Sequence, residues 1–208
     1  ERIHVLDFHS GKTHEVKFEE PTYSIRSAWN PEFSSVTLRF SYESLTTPRS
    51  IFDYDMGTRT RDLKKRYEVP GDYDPANYVS ERILATGQDG AQIPISLVCR
   101  RGSISDGPKP LLLYAYGSYG IVIDADFSSA RFSLLDRGFV YAIAHVRGGE
   151  DLGRCWYDQG KLLHKRNTFT DFIAVAEHLI ENRYTDSKNL VIQGGSAGGL
   201  LVGAVLNM

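Results

Sequence analysis

Apolar and polar side chains take turns through residues 1–70. In Val36-Thr37-Leu38-Arg39-Phe40-Ser41-Tyr42 every second residue is apolar, so a strand there buries one face and wets the other. Phe52-Asp53-Tyr54-Asp55-Met56 repeats the alternation, and Ile3-His4-Val5 starts it once more. Ser10-Gly11-Lys12, Asn30-Pro31, Thr47-Pro48 and Met56-Gly57 provide turn chemistry between these runs. Short strands so spaced predict antiparallel sheets of a propeller or a sandwich. A blade takes about 40–50 residues, so this stretch holds one blade and some of another. The turn-rich Val69-Pro70-Gly71-Asp72-Tyr73-Asp74-Pro75 reads as a linker and sets a domain boundary after residue 70.

From Asn77 the period changes. Glu81–Thr86 and Ile93–Arg100 read as a hairpin around Gly87-Gln88-Asp89-Gly90, whose Asp-Gly favours a tight turn. Leu111-Leu112-Leu113-Tyr114-Ala115-Tyr116 is a continuous apolar run, as in a strand covered on both faces. Ser128–Asp136 predicts a short helix with Asp126 as N-cap and Gly138 past its end, and Phe139–Ala144 another buried strand. Thr168–Asn182 is the clearest helix: Phe169, Phe172, Ile173, Ala176, Leu179 and Ile180 fall on one face. Thr168 and Asp171 have the spacing of a capping box. Leu190–Gln193 is a further strand. Helices alternating with apolar strands predict a mainly parallel α/β sheet.

That last strand runs into Gly194-Gly195-Ser196-Ala197-Gly198-Gly199 and then into Leu200-Leu201-Val202-Gly203-Ala204-Val205. Strand, sharp turn, helix around G-x-S-x-G is the nucleophile elbow of α/β-hydrolases. Glycines two positions either side of Ser196 are needed because a Cβ there would strike the neighbouring strand or helix. A phosphate loop fits less well, because the Gly-Lys-Ser/Thr ending and the G-x-G-x-x-G spacing are both missing. A serine hydroxyl needs a histidine base, and the base a carboxylate. His4, His9, His14, His145, His164 and His178 all precede Ser196, and the twelve residues after it hold no Asp, Glu or His. His178 lies off the apolar face of its helix, and His145, at a strand end, suits a satisfied structural role better than catalysis. The triad is therefore incomplete. One oxyanion donor is expected from the N–H of Ala197, the other from the loop Tyr114–Gly120.

Charge and composition narrow the partners. The 208 residues carry 24 Lys+Arg against 26 Asp+Glu, a formal net charge of -2, which disfavours a phosphate-neutralising nucleic-acid binder. Arg59, Arg61, Lys64, Lys65 and Arg66 cluster, but a solvated hairpin face outweighs an anion patch. No apolar run reaches the length of a membrane span. Cys99 and Cys155 make neither a disulfide framework nor a zinc site, so no metal or cofactor is expected, and a reducing compartment, the cytoplasm, is. The chain opens within a strand pattern and stops in the apolar Leu206-Asn207-Met208, which reads as a piece of a longer protein.

Taken together, Leu113-Tyr114-Ala115-Tyr116-Gly117-Ser118-Tyr119-Gly120, Val146-Arg147-Gly148-Gly149-Glu150 and Gly194 to Gly199 make the chain resemble the prolyl oligopeptidase family of serine peptidases. Ala144-His145 before that second motif, Trp156-Tyr157, Gly160-Lys161, Lys165-Arg166-Asn167-Thr168-Phe169 and Ala197 are similar to its oligopeptidase B branch. The resemblance implies an α/β fold: the N-terminal part of an α/β-hydrolase domain (71–208), preceded by antiparallel β strands of a propeller blade (1–70). It implies Ser196 as acylated nucleophile, Tyr116 and the Ala197 N–H as oxyanion donors, and Arg147 to Glu150 as scaffold. Substrates would be peptides cut after Arg or Lys, and activity would require the remainder of the same polypeptide. Two alternatives stay open: an esterase or acyl-peptide hydrolase of the same fold, and a non-catalytic propeller and hydrolase remnant acting as a binding module.

Overall fold

The computed structural model describes residues 2–208. The chain divides into two compact units, one running to Pro75 and including Ala125–Ser128, the other holding Ala76–Asp124 and Ser129–Met208.

In the first unit, β1 (Ile3–Leu6) pairs antiparallel with β2 (Thr13–Val16). A separate antiparallel sheet runs in chain order through β3 (Tyr23–Ser27), β4 (Thr37–Ser44), β5 (Ser50–Asp55) and β6 (Thr60–Arg66). The alternation is realised in packing: Phe40, Tyr42 and Tyr54 are buried with Val16 and Ile25. Phe18 stacks on Tyr42 at 4.9 Å and meets Phe40 edge-on at 5.8 Å, geometries that aromatic quadrupoles favour. One carboxylate ties the unit's loops. Glu20 accepts hydroxyl hydrogens from Tyr42 (2.5 Å), Ser44 (2.6 Å), Thr46 (2.6 Å) and Thr47 (2.9 Å). Burial and the neighbouring Glu20 push the Tyr42 phenol well above its ordinary pKa. The basic cluster is a paired surface: Arg61 reaches Glu19 at 3.0 Å and lies over Phe18, Lys64 meets Asp62, and Arg66 donates to Ser50.

The second unit holds one five-stranded sheet. Its strands are β7 (Tyr78–Thr86), β8 (Gln92–Arg100), β9 (Leu111–Tyr114), β10 (Val140–Ala144) and β11 (Leu190–Gln193), in the order β11-β9-β10-β8-β7. β9 is parallel to β10 and β11, whereas β8 is antiparallel to both β7 and β10. The sheet is thus mixed, not mainly parallel. An apolar run records that both faces are covered and says nothing about a neighbour's direction. The core gathers Ile93, Ile95 and Leu97 of β8, Leu111 and Leu113 of β9, and Val140 and Ala142 of β10.

Among the described residues four α-helices complete the unit: α1 (Ser129–Leu135), α2 (Arg154–Asp158), α3 (Arg166–Glu181) and α4 (Ala197–Val205). Two expected caps are absent. α1 begins three residues after Asp126, which instead approaches Arg26 at 3.5 Å. α3 begins at Arg166, so Thr168 and Asp171 lie inside it. Its buried side is Thr168, Asp171, Phe172, Ala174, Val175 and Leu179, a stripe rotated from the apolar one because two polar residues turn inward.

Candidate active site

β11 ends at Gln193, paired with Tyr114 of β9, and α4 starts at Ala197. Between them Ser196 adopts φ 54° and ψ −118°, a conformation that L-residues reach only under constraint. The constraint is steric. A Cβ on Gly194 would overlap the Gly198 carbonyl, and one on Gly198 would lie 2.8 Å from the Ala115 oxygen and 3.5 Å from Tyr116 Cα. Gly195 and Gly199 face no such crowding. The turn leaves Ser196 exposed. Ala197 is the first residue of α4, where an N–H has no intrahelical acceptor and the helix dipole is positive.

Tyr116 lies two residues beyond β9. It is half-buried, and its ring centroid is 6.5 Å from that of the exposed Tyr119. The same Gly198 that closes the elbow abuts the Ala115–Tyr116 backbone, so the structure brings Ser196, Ala197 and the Tyr116 loop to one end of the sheet. A cavity of about 440 Å³ opens there, lined by Tyr119, Tyr157, Leu162, Lys165, Ala197 and Leu200 among others. Among the described residues no trio of metal-binding side chains gathers.

His145 is not part of this group. It is buried, with Nε2 2.8 Å from Ser96 Oγ and Nδ1 2.6 Å from Asp151 Oδ1. Arg82 donates to the same Ser96 oxygen at 2.6 Å. The hydrogens order themselves along this chain. Arg82 gives to Ser96, the Ser96 hydroxyl gives to Nε2, and Nδ1–H gives to the Asp151 carboxylate, which leaves a neutral imidazole. Burial, opposed by Asp151, lowers the His145 pKa below its ordinary value. The arrangement has the connectivity of a Ser-His-Asp triad, but Ser96 is fully buried and no substrate reaches it. Its work is to fasten the Arg147–Asp151 loop to β8.

Arg147 fastens the other end. Its guanidinium donates to Asp171 at 2.9 Å through Nε and 2.5 Å through Nη2, and to Asp89 at 2.6 Å, while its N–H also reaches Asp171. Thr168 gives its hydroxyl to the Arg147 carbonyl at 2.6 Å. The two residues expected to cap α3 are therefore this arginine's anchors. Sequence reasoning missed these partners; the one available signal is a charged residue directly following the run Ala142–Val146, which the fold buries.

A model of the prolyl oligopeptidase family matches residues 125–208, and a model of the prolyl oligopeptidase N-terminal beta-propeller domain matches residues 1–66. Dipeptidyl aminopeptidase BI of Pseudoxanthomonas mexicana is 49% identical over 199 residues, 95% of this chain and 27% of that protein. Protease 2 of Moraxella lacunata is 42% identical over 200 residues, 96% of this chain and 29% of that protein. Oligopeptidase B from Leishmania major superposes with a TM-score of 0.89 at 43% identity, over 100% of this chain and 30% of its own. Oligopeptidase B from Trypanosoma brucei, solved with covalently bound antipain, gives 0.86 at 47%, over 94% and 28%. The chain thus spans less than a third of the length of each of these relatives.

Proposed function

The chain belongs to the prolyl oligopeptidase family, and from that membership we propose that it is part of a serine oligopeptidase in which Ser196 is acylated by peptide substrates. The observation that carries the reading is Ser196 itself, exposed and strained at the head of α4 by two glycines that admit no Cβ. In this reading the Ser196 hydroxyl attacks the scissile carbonyl. The carbonyl oxygen, now negative, takes hydrogen bonds from the Ala197 N–H and the Tyr116 phenol. A phenol serves well because it donates without carrying charge in the ground state. The base that takes the Ser196 proton passes it to the departing amine as the intermediate collapses, and water, giving its proton to the same base, then hydrolyses the acyl-enzyme to the acid and restores the Ser196 hydroxyl.

In this reading His145 is not the base, since it is committed to Ser96 and Asp151. The chain alone is inactive, and the base with its carboxylate comes from the rest of a polypeptide of the relatives' length. Residues 1–70 are the last part of that protein's propeller and residues 71–208 the first part of its peptidase domain. Cleavage after Arg or Lys is the preferred specificity. The open face of Tyr119 beside the elbow suits a guanidinium or ammonium group by cation–π attraction, and relatives carrying the name oligopeptidase B include one with covalently bound antipain. Placement in the cytoplasm accompanies the reading, supported by two free thiols, Cys99 and Cys155. Among the described residues no helix is long and apolar enough to cross a membrane.

The test uses the full-length protein. A fluorophosphonate probe should label Ser196, Ser196→Ala should abolish both labelling and hydrolysis, and an Arg-terminated fluorogenic peptide should be cleaved faster than a short-chain ester. An unlabelled but folded protein would make it a binding module. A preference for the ester would make it an esterase.

A further inference from the structure

We propose that Lys165 is a positioning residue for Tyr116: its ammonium group pins the Gly117–Ser118 turn that directly follows the oxyanion tyrosine. The inference rests on the reading of Tyr116 as a donor given above. Lys165 stands immediately before α3, and its Nζ donates both to the Gly117 carbonyl and, at 2.7 Å, to Ser118 Oγ. Ser118 is buried. Among the described residues no carboxylate pairs with Lys165; its Nζ lies 5.9 Å from the Phe169 ring centroid, and burial holds its pKa below the ordinary lysine value. A partly desolvated ammonium without a counter-ion is unfavourable. An apolar side chain of equal length would fill the same space without that cost, so packing does not account for the charge. Holding a carbonyl does.

The turn needs such a hold. Gly117 has φ +68°, and a Cβ on it would lie 2.7 Å from Val146 Cγ2. Two residues on, Tyr119 is also in the left-handed region at φ 60°, where a tyrosine is strained. On the amino side of Tyr116 the backbone is fixed, because Gly198 of α4 abuts Ala115 and Tyr116 Cα. On its carboxyl side the chain is next held by backbone at Gly120, whose N–H donates to the Gly148 carbonyl at 3.0 Å, and Ile121 N–H closes the turn on the Ser118 carbonyl at 3.0 Å; between Tyr116 and that point Lys165 is the side chain that ties the Gly117 carbonyl and the Ser118 hydroxyl. An oxyanion donor must be held to within about 0.5 Å of its productive place. Release of one end of its loop therefore weakens the hydrogen bond that develops in the transition state.

The experiment measures kcat, KM and thermal midpoint for Lys165→Met, Lys165→Arg, Tyr116→Phe and the double variant Lys165→Met/Tyr116→Phe in the full-length enzyme. Lys165→Met is expected to lower kcat roughly tenfold to a hundredfold, since a misplacement near 1 Å can cost about that much, with KM within about twofold. Lys165→Arg should recover part of the loss. In the Tyr116→Phe background the same lysine change should lower kcat no further than about threefold, because the group it aims is gone. Multiplicative losses in the double variant, or an unchanged kcat in Lys165→Met, overturn the proposal while leaving Tyr116 in place. A Tyr116→Phe enzyme of normal turnover beside a dead Ser196→Ala overturns the donor reading and this inference with it. Should Lys165→Met not fold, Ser118→Ala removes one of the two acceptors and keeps the charge. A smaller loss that again vanishes without Tyr116 supports the proposal, and a normal or multiplicative result overturns it.

Discussion

Ser196 shows how much a single residue carries. Its φ of 54° is costly for any side chain with a Cβ, and the turn that enforces it depends on Gly194 and Gly198 having none. Both glycines and the serine were legible from spacing, although only Gly194 answers to a local neighbour, the Gly198 carbonyl; Gly198 answers to the Ala115 carbonyl of a distant segment. The residues alone did not choose among the three tyrosines of the Tyr114–Gly120 loop, since nothing local ranks one phenol over another, and Tyr116 was singled out only by the family resemblance. Under the proposed reading, Tyr116→Phe removes one oxyanion donor, worth about 2.7–4 kcal/mol, so kcat in the full-length enzyme should drop by roughly two to three decades with the fold retained. Steady-state kinetics checks this, and an unchanged kcat removes Tyr116 from the site. Arg147 is the opposite case. Its signature was visible and its partners were not. Arg147 and Asp171 are 5% and 1% exposed at their side chains, so Arg147→Met strands a buried carboxylate and should cost about 3–5 kcal/mol, read as a lowered denaturation midpoint.

Elements were legible wherever periodicity follows burial. β4, β5 and the β7–β8 hairpin lie where alternation and the Asp-Gly turn put them. The start of α3 was misplaced because Ser, Thr and Asp read as caps from sequence even when tertiary partners recruit them inside a helix. Thr168 and Asp171 are so recruited by Arg147. The connection from β10 to α2 carries the buried His145–Asp151 pair, and that has a pH consequence. Folded His145 binds its proton more weakly than the unfolded chain does. As pH falls below about 6.5, the ordinary histidine value, the unfolded state takes up a proton that the fold refuses. Stability is then full above that pH and declines with acidification until His145 itself protonates, with Arg82 and Asp151 as the facing charges. Denaturant titrations of the full-length protein should show this slope, and His145→Gln should flatten it. An equal slope in the variant would assign the effect to other groups.

At the scale of the whole chain, each of the two units has its own apolar core, so damage should stay local. Glu20→Ala leaves the hydroxyls of Tyr42, Ser44, Thr46 and Thr47 without their shared acceptor, at about 1–3 kcal/mol for each buried group that finds no substitute. Hydrogen exchange in the full-length protein should quicken across β4 and β5 in that variant and leave β8 to β10 unchanged, and Arg147→Met should do the reverse. Exchange that rises in both units for either variant would mean that they unfold together.

Much of this protein is written in short-range patterns: strands that alternate, a helix with an apolar stripe, and a serine framed by glycines. Each is recorded as residue types at short spacing, which the linear chain carries even where, as at Gly198, the surface to be fitted lies on a distant segment. The direction of β8 against β10, the joining of Asp89, Arg147 and Asp171, the sealed Ser96–His145–Asp151 relay and the tie from Lys165 to Gly117 have no such signature. They join residues from 6 to 58 positions apart, and the low dielectric of the interior makes their hydrogen bonds matter. Only folding brings those groups within reach of one another.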